Sequence, residues 1–324
     1  MTHQRISVSP LSSVRWPFED DLALWRDLGT GWAGLMGAKL GDDGGDIDSC
    51  LTALTAAGIR ASTVVVPRFD LGAPATWDAT GKALRRWTDA VAKHDGWSMY
   101  LTPGRPTGAV WEQVLETLAE AVAPSVAYAR DKGVRLAFEP SKRTEVSFVN
   151  TLADAIDVAE RTGLGIVADI GNFWMERDLR ATLLRAAPHI ALVQLTDVSI
   201  GTVRSPDDPP SGGRVPFGEG DLPIARILRD IKDTGYAGPL ELELIGPLGD
   251  REGYAPVIRR GVAAAEQALA QAGLLDKRKE GTYGPDEQGG RDARRRHLGT
   301  ARAAGARSAA RRRGAAGGGG RHVP

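Results

Sequence analysis

A chain of 324 residues with 41 Lys and Arg against 41 Asp and Glu has no formal net charge, which excludes a protein built throughout to bind polyanions. The balance is uneven: from Asp276 onward 13 basic residues face 5 acidic ones, leaving 28 against 36 in a mildly acidic body unsuited to nucleic acid. A single cysteine, Cys50, excludes an intrachain disulfide framework, and no apolar run approaches the roughly 20 residues of a membrane-spanning helix.

The opening MTHQRISVSP lacks a cationic stretch leading into an apolar one, so no signal peptide is expected, and the reducing cytoplasm is the expected compartment. Strand-like runs then follow at Arg5–Ser9, Trp32–Leu35, Ala61–Val66 and Ser98–Leu101. Four more come at 135–139 (RLAFE), 165–169 (GIVAD), 190–194 (IALVQ) and 239–243 (PLELE), eight in all. Amphipathic stretches of helical period separate them, among them 46–59, 111–133, 152–163, 222–235 and 254–273. Those helices stop at Gly58, Gly133, Gly163, Gly235 and Gly273, as C-terminal caps should. Cys50 falls on the first of them and is expected to be a small packing residue.

Apolar strands joined by helices predict a parallel sheet, and eight repeats predict an α/β fold closed as a (β/α)8 TIM barrel over residues 1–275. No Gly-rich dinucleotide fingerprint follows the first strand, which excludes a Rossmann unit. After Leu275 an Arg/Ala/Gly mixture has too little apolar surface to offset its ordering entropy, so residues 276–324 are expected to be a disordered tail. Its arginine triplets at 294–296 and 311–313 offer a contact for RNA or acidic surfaces, although a solvated appendage is the simpler expectation.

The last four strands carry the chemistry. Glu139, Asp169, Gln194 and Glu243 stand at their C-terminal ends, 30, 25 and 49 residues apart, each interval long enough for a helix and its loops. Such a barrel gathers these ends around one mouth. Three carboxylates and an amide oxygen there make a hard-cation site, with Mg2+ or Mn2+ expected over Zn2+ because every donor is oxygen. Glu241, two residues before Glu243, points to the same side of the strand and is expected one layer lower, where a cation could pair with it. The pattern Tyr236, Gly238, Glu243 assigns the ligand to Glu243.

The segments LAFEP, VADIGN, VQLTD, RVPFGEGDLP and YAGPLELELIGP resemble the xylose-isomerase-like barrel superfamily, in particular its sugar phosphate isomerase/epimerase group. That resemblance implies one divalent metal held by Glu139, Asp169, Gln194 and Glu243, with Glu139 and Glu243 also the catalytic acid/base pair. Two positions depart from the family pattern. Gln194 stands where histidine is commoner, as it also does in a 3-dehydroshikimate-dehydratase-like branch. Asn172 replaces the histidine of Asp-x-x-His and can hydrogen-bond but not accept a proton near neutral pH. His94 and His189 both precede strands, at the wrong end of the barrel to compensate.

Asn172, Arg214 and Lys142 are the expected substrate-binding residues, with Arg214 as a clamp on a carboxylate or phosphate. Arg143 and Trp174 are further candidates for the pocket wall. The reaction expected is isomerisation or epimerisation of a small sugar or polyhydroxy-keto compound, by proton abstraction next to a polarised carbonyl. A dehydratase-like lyase and a catalytically silent sugar-binding barrel are the rivals. The expected partner is the small substrate, with self-association open and neither nucleic acid nor membrane for the barrel.

Overall fold

The structure, a computed structural model, describes residues 2–40, 47–201 and 213–275. The expected tail and its boundary lie outside these residues. The strands are β1 (Ile6–Val8), β2 (Trp32–Met36), β3 (Arg60–Val65), β4 (Ser98–Leu101) and β5 (Arg135–Phe138). They continue as β6 (Gly165–Asp169), β7 (Ile190–Leu195), the two-residue β8 (Asp197–Val198) and β9 (Arg214–Val215), and β10 (Leu240–Leu242). Eight form one parallel sheet in the order β1-β10-β7-β6-β5-β4-β3-β2. The far strand β2 returns beside β1 to make a nearly closed TIM barrel, without a ladder between those two among the described residues. The eight strands are those expected, longer or shorter by a residue at several ends.

Helices Ile47–Ala56, Trp111–Asp131, Leu152–Thr162, Ile224–Asp233 and Tyr254–Ala272 match the predicted amphipathic stretches. Each is followed by its expected glycine in the left-handed region, from Gly58 at φ 72° to Gly273 at φ 69°. Helices Phe18–Leu28, Trp77–Lys93 and Leu179–Ala186 complete the outer layer. Thr80 and Gly81 dilute the helical signal of the second, and Asp178 enters the third from a left-handed conformation. The core between strands and helices is continuous, with Trp25, Trp87, Leu35, Leu54 and Phe138 essentially inaccessible. Cys50 packs there as expected.

Inside the barrel, Tyr100, Ala137, Val167, Ala191 and Leu192 form a separate small apolar cluster. Tyr236 Oη donates to the carbonyl of Pro239 at 2.7 Å, and a Cβ on Gly238 would stand 2.4 Å from that oxygen. The Tyr236–Gly238 pattern is thus a close crossing that seats the start of β10.

Gly34, in the middle of β2, makes room for the site. A Cβ there would lie 2.6 Å from Glu241 Oε2 and 2.7 Å from Pro10 Cδ. Gly34→Ala should lose about 1–3 kcal/mol in chemical denaturation, the usual cost of overpacking. Gly72→Ala, whose Cβ would meet only Asp70 Oδ1 at 3.4 Å, should change stability by less than about 0.5 kcal/mol.

Candidate active site

Backbone ladders hold the four strand-end residues before any side chain is considered. Asp169 registers with Gln194 across β6 and β7, and Gln194 with Glu241 across β7 and β10. Glu139 and Glu243 lie one residue past their strands, yet their N–H groups continue the ladder to Leu101 O (3.0 Å) and Leu195 O (3.1 Å). Oxygens of Glu139, Asp169 and Glu243 come within 4.8 Å of one another. Asp169 and Glu243 are 1% and 2% exposed, while Glu139 is partly open to the cavity.

Both oxygens of Asp169 and of Glu243 have identifiable partners. Asp169 caps the one-turn helix Ile170–Phe173, its Oδ1 accepting from Gly171 N at 2.9 Å. That bond turns Oδ2 toward Asn172 Nδ2 at 2.9 Å and toward the Arg214 guanidinium. Asn172 Nδ2 also reaches Glu139 Oε1 at 3.1 Å, so it ties two of the carboxylates together. Glu243 Oε2 accepts from Ser9 Oγ (3.1 Å) and Gln194 Nε2 (2.8 Å), and its Oε1 from Arg214. Gln194 is fully buried, and its Oε1 has no hydrogen-bond partner among the described residues.

Glu241 sits one layer lower, as its spacing predicts, but no Lys, Arg or His among the described residues is shown paired with it. Ser62 Oγ (2.7 Å), Ser7 Oγ (3.3 Å) and Gln194 Nε2 (3.3 Å) hold it instead. Hydroxyl and amide dipoles suffice because this carboxyl need not be charged: burial, with Glu243 nearby, pushes its pKa up to about 7. Burial and the charges of Glu243 and Asp169 hold Glu139 well above the ordinary carboxylate range, with Arg214 opposing. Burial also raises Glu243, against the pull of Arg214. For Arg214 burial alone would favour the neutral form, but Asp169, Glu243 and Glu139 outweigh it and keep the guanidinium charged.

Arg214, expected to meet substrate, lines the cavity, and its guanidinium is bonded to Asp169 and Glu243, 11% exposed. The segment that carries it is pinned by Asp197, a residue with no distinguishing signal in the sequence taken alone. Asp197 pairs β8 with β9, and its carboxylate accepts from the N–H of Val198 (2.9 Å), Gly218 (3.0 Å), Gly220 (3.0 Å) and Leu222 (3.3 Å). Its signal was the GEGD segment downstream of QLTD, legible only once the two are known to touch.

A cavity of about 530 Å³ opens over the triad. Glu139, Asn172, Arg214 and Glu243 form its floor, and Lys142, Arg143, Trp174, Val198 and Ile245 are among its walls. The Lys142 ammonium lies 5.6 Å from the centre of the Trp174 ring, and burial lowers its pKa. Arg143 is directed away, its Nε on Glu145 Oε1 at 2.9 Å. His94 bonds Asp48 at 3.1 Å and His189 is half-buried before β7; neither lines the cavity. No described helix is long and apolar enough to cross a membrane.

A family model for xylose isomerase-like TIM barrels matches residues 24–268. Three solved structures resemble the chain over nearly their whole length. An IolI protein with a bound zinc atom is 15% identical, covering 85% of this chain and all of that one, with a TM-score of 0.70. An L-ribulose 3-epimerase is 18% identical over 86% of this chain and all of its own, with a TM-score of 0.63. The probable 3-DHS dehydratase AsbF from Bacillus anthracis is 13% identical over 82% of this chain and 99% of its own, also at 0.63. At such identities the likeness establishes the fold alone. No curated protein matches the chain.

Glu241 gives the site a pH signature. Its folded-state pKa of about 7 lies above the ordinary 4.5, so the folded chain holds this proton more tightly than the unfolded one. The resulting stabilisation is complete below the unfolded value and is lost as pH rises through about 7. Glu241→Gln, neutral throughout, should therefore gain on the native protein by up to about 3 kcal/mol between pH 4.5 and pH 8. Urea denaturation of both proteins in EDTA reads the difference, and parallel profiles would place the Glu241 charge elsewhere.

Proposed function

The chain belongs to the xylose isomerase-like TIM barrel family, and from that premise we propose that it is a divalent-metal-dependent isomerase or epimerase of a small polyhydroxy-keto compound. The observation that carries this reading is the meeting of Glu139, Asp169 and Glu243 within 4.8 Å at the C-terminal mouth of the barrel, beneath a substrate-sized cavity. The residues fit a hard cation. Three carboxylates face one guanidinium, which leaves an excess of negative charge, and the neighbouring Gln194 Oε1 is a buried acceptor with no hydrogen bond. Glu139, Asp169, Glu243 and Gln194 would hold the ion, and an all-oxygen set favours Mg2+ or Mn2+. When bound, the ion would supply Lewis-acid polarisation of the substrate carbonyl.

The proton chemistry belongs to the glutamates. Glu139 stands on β5 and Glu243 on β10, three places apart in the ring, so a molecule lying between them presents a different side to each. Glu139 has its pKa held high by burial and its carboxylate neighbours, which makes it an effective base toward the carbon next to the carbonyl. The electron pair of the broken C–H bond moves onto the carbonyl oxygen and leaves an enediolate. Glu243, entering the step protonated, delivers its own proton to the other face of that carbon, giving the epimer and leaving Glu139 with the proton it took. Return of the Glu139 proton to the neighbouring carbon, with the hydroxyl proton passing to the former carbonyl oxygen, gives the isomer. Asn172 holds Glu139 beside Asp169 and takes no proton itself.

A dehydratase-like reading draws support from Gln194, the residue by which the chain resembles the dehydroshikimate branch. Both readings begin with the same proton abstraction and differ in whether a β-hydroxyl is expelled.

Metal-stripped protein titrated with Mn2+ in a calorimeter should bind one equivalent, and Glu243→Gln should weaken binding at least about tenfold by removing a charged oxygen donor. With metal present, substrate α-protons of ketoses or inososes should exchange with D2O, and Glu139→Gln should slow exchange by about 10²–10⁴. With dehydroshikimate, a rise in ultraviolet absorbance would instead identify the dehydratase. Absence of Mn2+ binding and of exchange with every substrate would leave a barrel that binds without catalysis.

A further inference from the structure

The bonds around the triad leave a divalent ion and Arg214 competing for the same atoms. Asp169 Oδ2 accepts from both Asn172 Nδ2 and Arg214 Nη2, which fills the in-plane lone pairs of that oxygen. Asp169 Oδ1 is turned to Gly171 N. On Glu243, Oε2 is held by Ser9 and Gln194, while Oε1 accepts from Arg214 Nη1. The guanidinium therefore bridges two carboxylates, one nitrogen to each, where a bidentate fork on a single partner is the commoner arrangement.

We propose that Arg214 is the internal counter-cation of this site and that metal loading is an exchange, in which the ion takes the oxygens of Asp169 and Glu243 that Arg214 holds and the guanidinium turns into the cavity. The idea rests on the metal-binding reading given above. The backbone is placed for a side-chain exchange and not for a loop movement. Arg214 is paired with Val198 across β8 and β9, and the four N–H bonds to Asp197 anchor the residues on either side of that turn. A long, unbranched side chain on a strand so anchored can leave the carboxylates while its backbone stays in place. Once released, the guanidinium lies in the cavity with Lys142, where a substrate carbonyl, carboxylate or phosphate oxygen can accept from it. Arg214 thereby sets metal affinity and couples it to substrate: its positive charge opposes the ion until a substrate oxygen engages it.

The test is Mn2+ binding, followed by calorimetry and by electron paramagnetic resonance of free Mn2+, in the native protein, Arg214→Met and Arg214→Lys. Melting is measured in EDTA and in Mn2+. Arg214→Met keeps the apolar stem and removes the charge, so it should bind Mn2+ at least tenfold more tightly than the native protein. It should also melt several degrees lower in EDTA and gain more from Mn2+, because its three carboxylates then lack the guanidinium that offsets their charge. Arg214→Lys, which can reach only one carboxylate at a time, should fall between the two. If Arg214→Met does not fold in EDTA, tighter Mn2+ binding by Arg214→Lys supports the exchange and equal or weaker binding overturns it. Equal or weaker binding by folded Arg214→Met overturns the exchange and leaves the metal site intact. Binding by the variant alone supports the competition and overturns the metal-dependent function. Failure of all three proteins to bind overturns both.

Discussion

Like charges crowded into one barrel mouth are the constraint on which the rest of this molecule depends. Glu139, Asp169 and Glu243 cannot all ionise within 4.8 Å of one another unless positive charge or protons are supplied. The protein supplies one guanidinium, Arg214, together with the hydroxyl of Ser9 and the amides of Asn172 and Gln194. Below them Glu241 stays tolerable by holding a proton to about pH 7 and by accepting from two serines. Such an arrangement is costly as structure and useful as chemistry, since carboxylates held away from their ordinary pKa are suited to moving protons.

The scaffold serves that cluster in detail. Glycine at position 34 admits the Glu241 carboxylate against the β2 backbone. Main-chain ladders carry Glu139 and Glu243 one residue beyond their strands, so both catalytic candidates inherit the rigidity of the sheet. Arg214 comes from a loop, and loops alone position poorly. Asp197 answers this by gathering four backbone N–H groups onto one carboxylate and fixing the turn.

The two departures from the family pattern acquire a shared meaning at this level. Gln194 and Asn172 each direct amide N–H groups at carboxylates, which a neutral histidine would do with one nitrogen at most. Both residues therefore stabilise ionised acids without adding charge or a competing base.

Periodicity and strand-end placement were enough to determine the barrel, its eight strands and the four residues brought to one mouth, because hydrophobic spacing of two and 3.6 is a local property of the chain. Glycines 58, 133, 163, 235 and 273 marked their helix ends for the same local reason. The direction of side chains across strands was not local. Arg214 reads in sequence as a substrate clamp and in space as the partner of Asp169 and Glu243, because only strand pairing between β8 and β9 aims it inward. Asp197 is one acidic residue among 41 until the turn at Gly218 and Gly220 folds against it. Glu241 looked in need of a cation until burial showed that it can keep its own proton. The sequence by itself determined which strand-end groups meet; tertiary structure alone decided which groups neutralise one another, since that depends on distances of a few ångströms and on the loss of water around them.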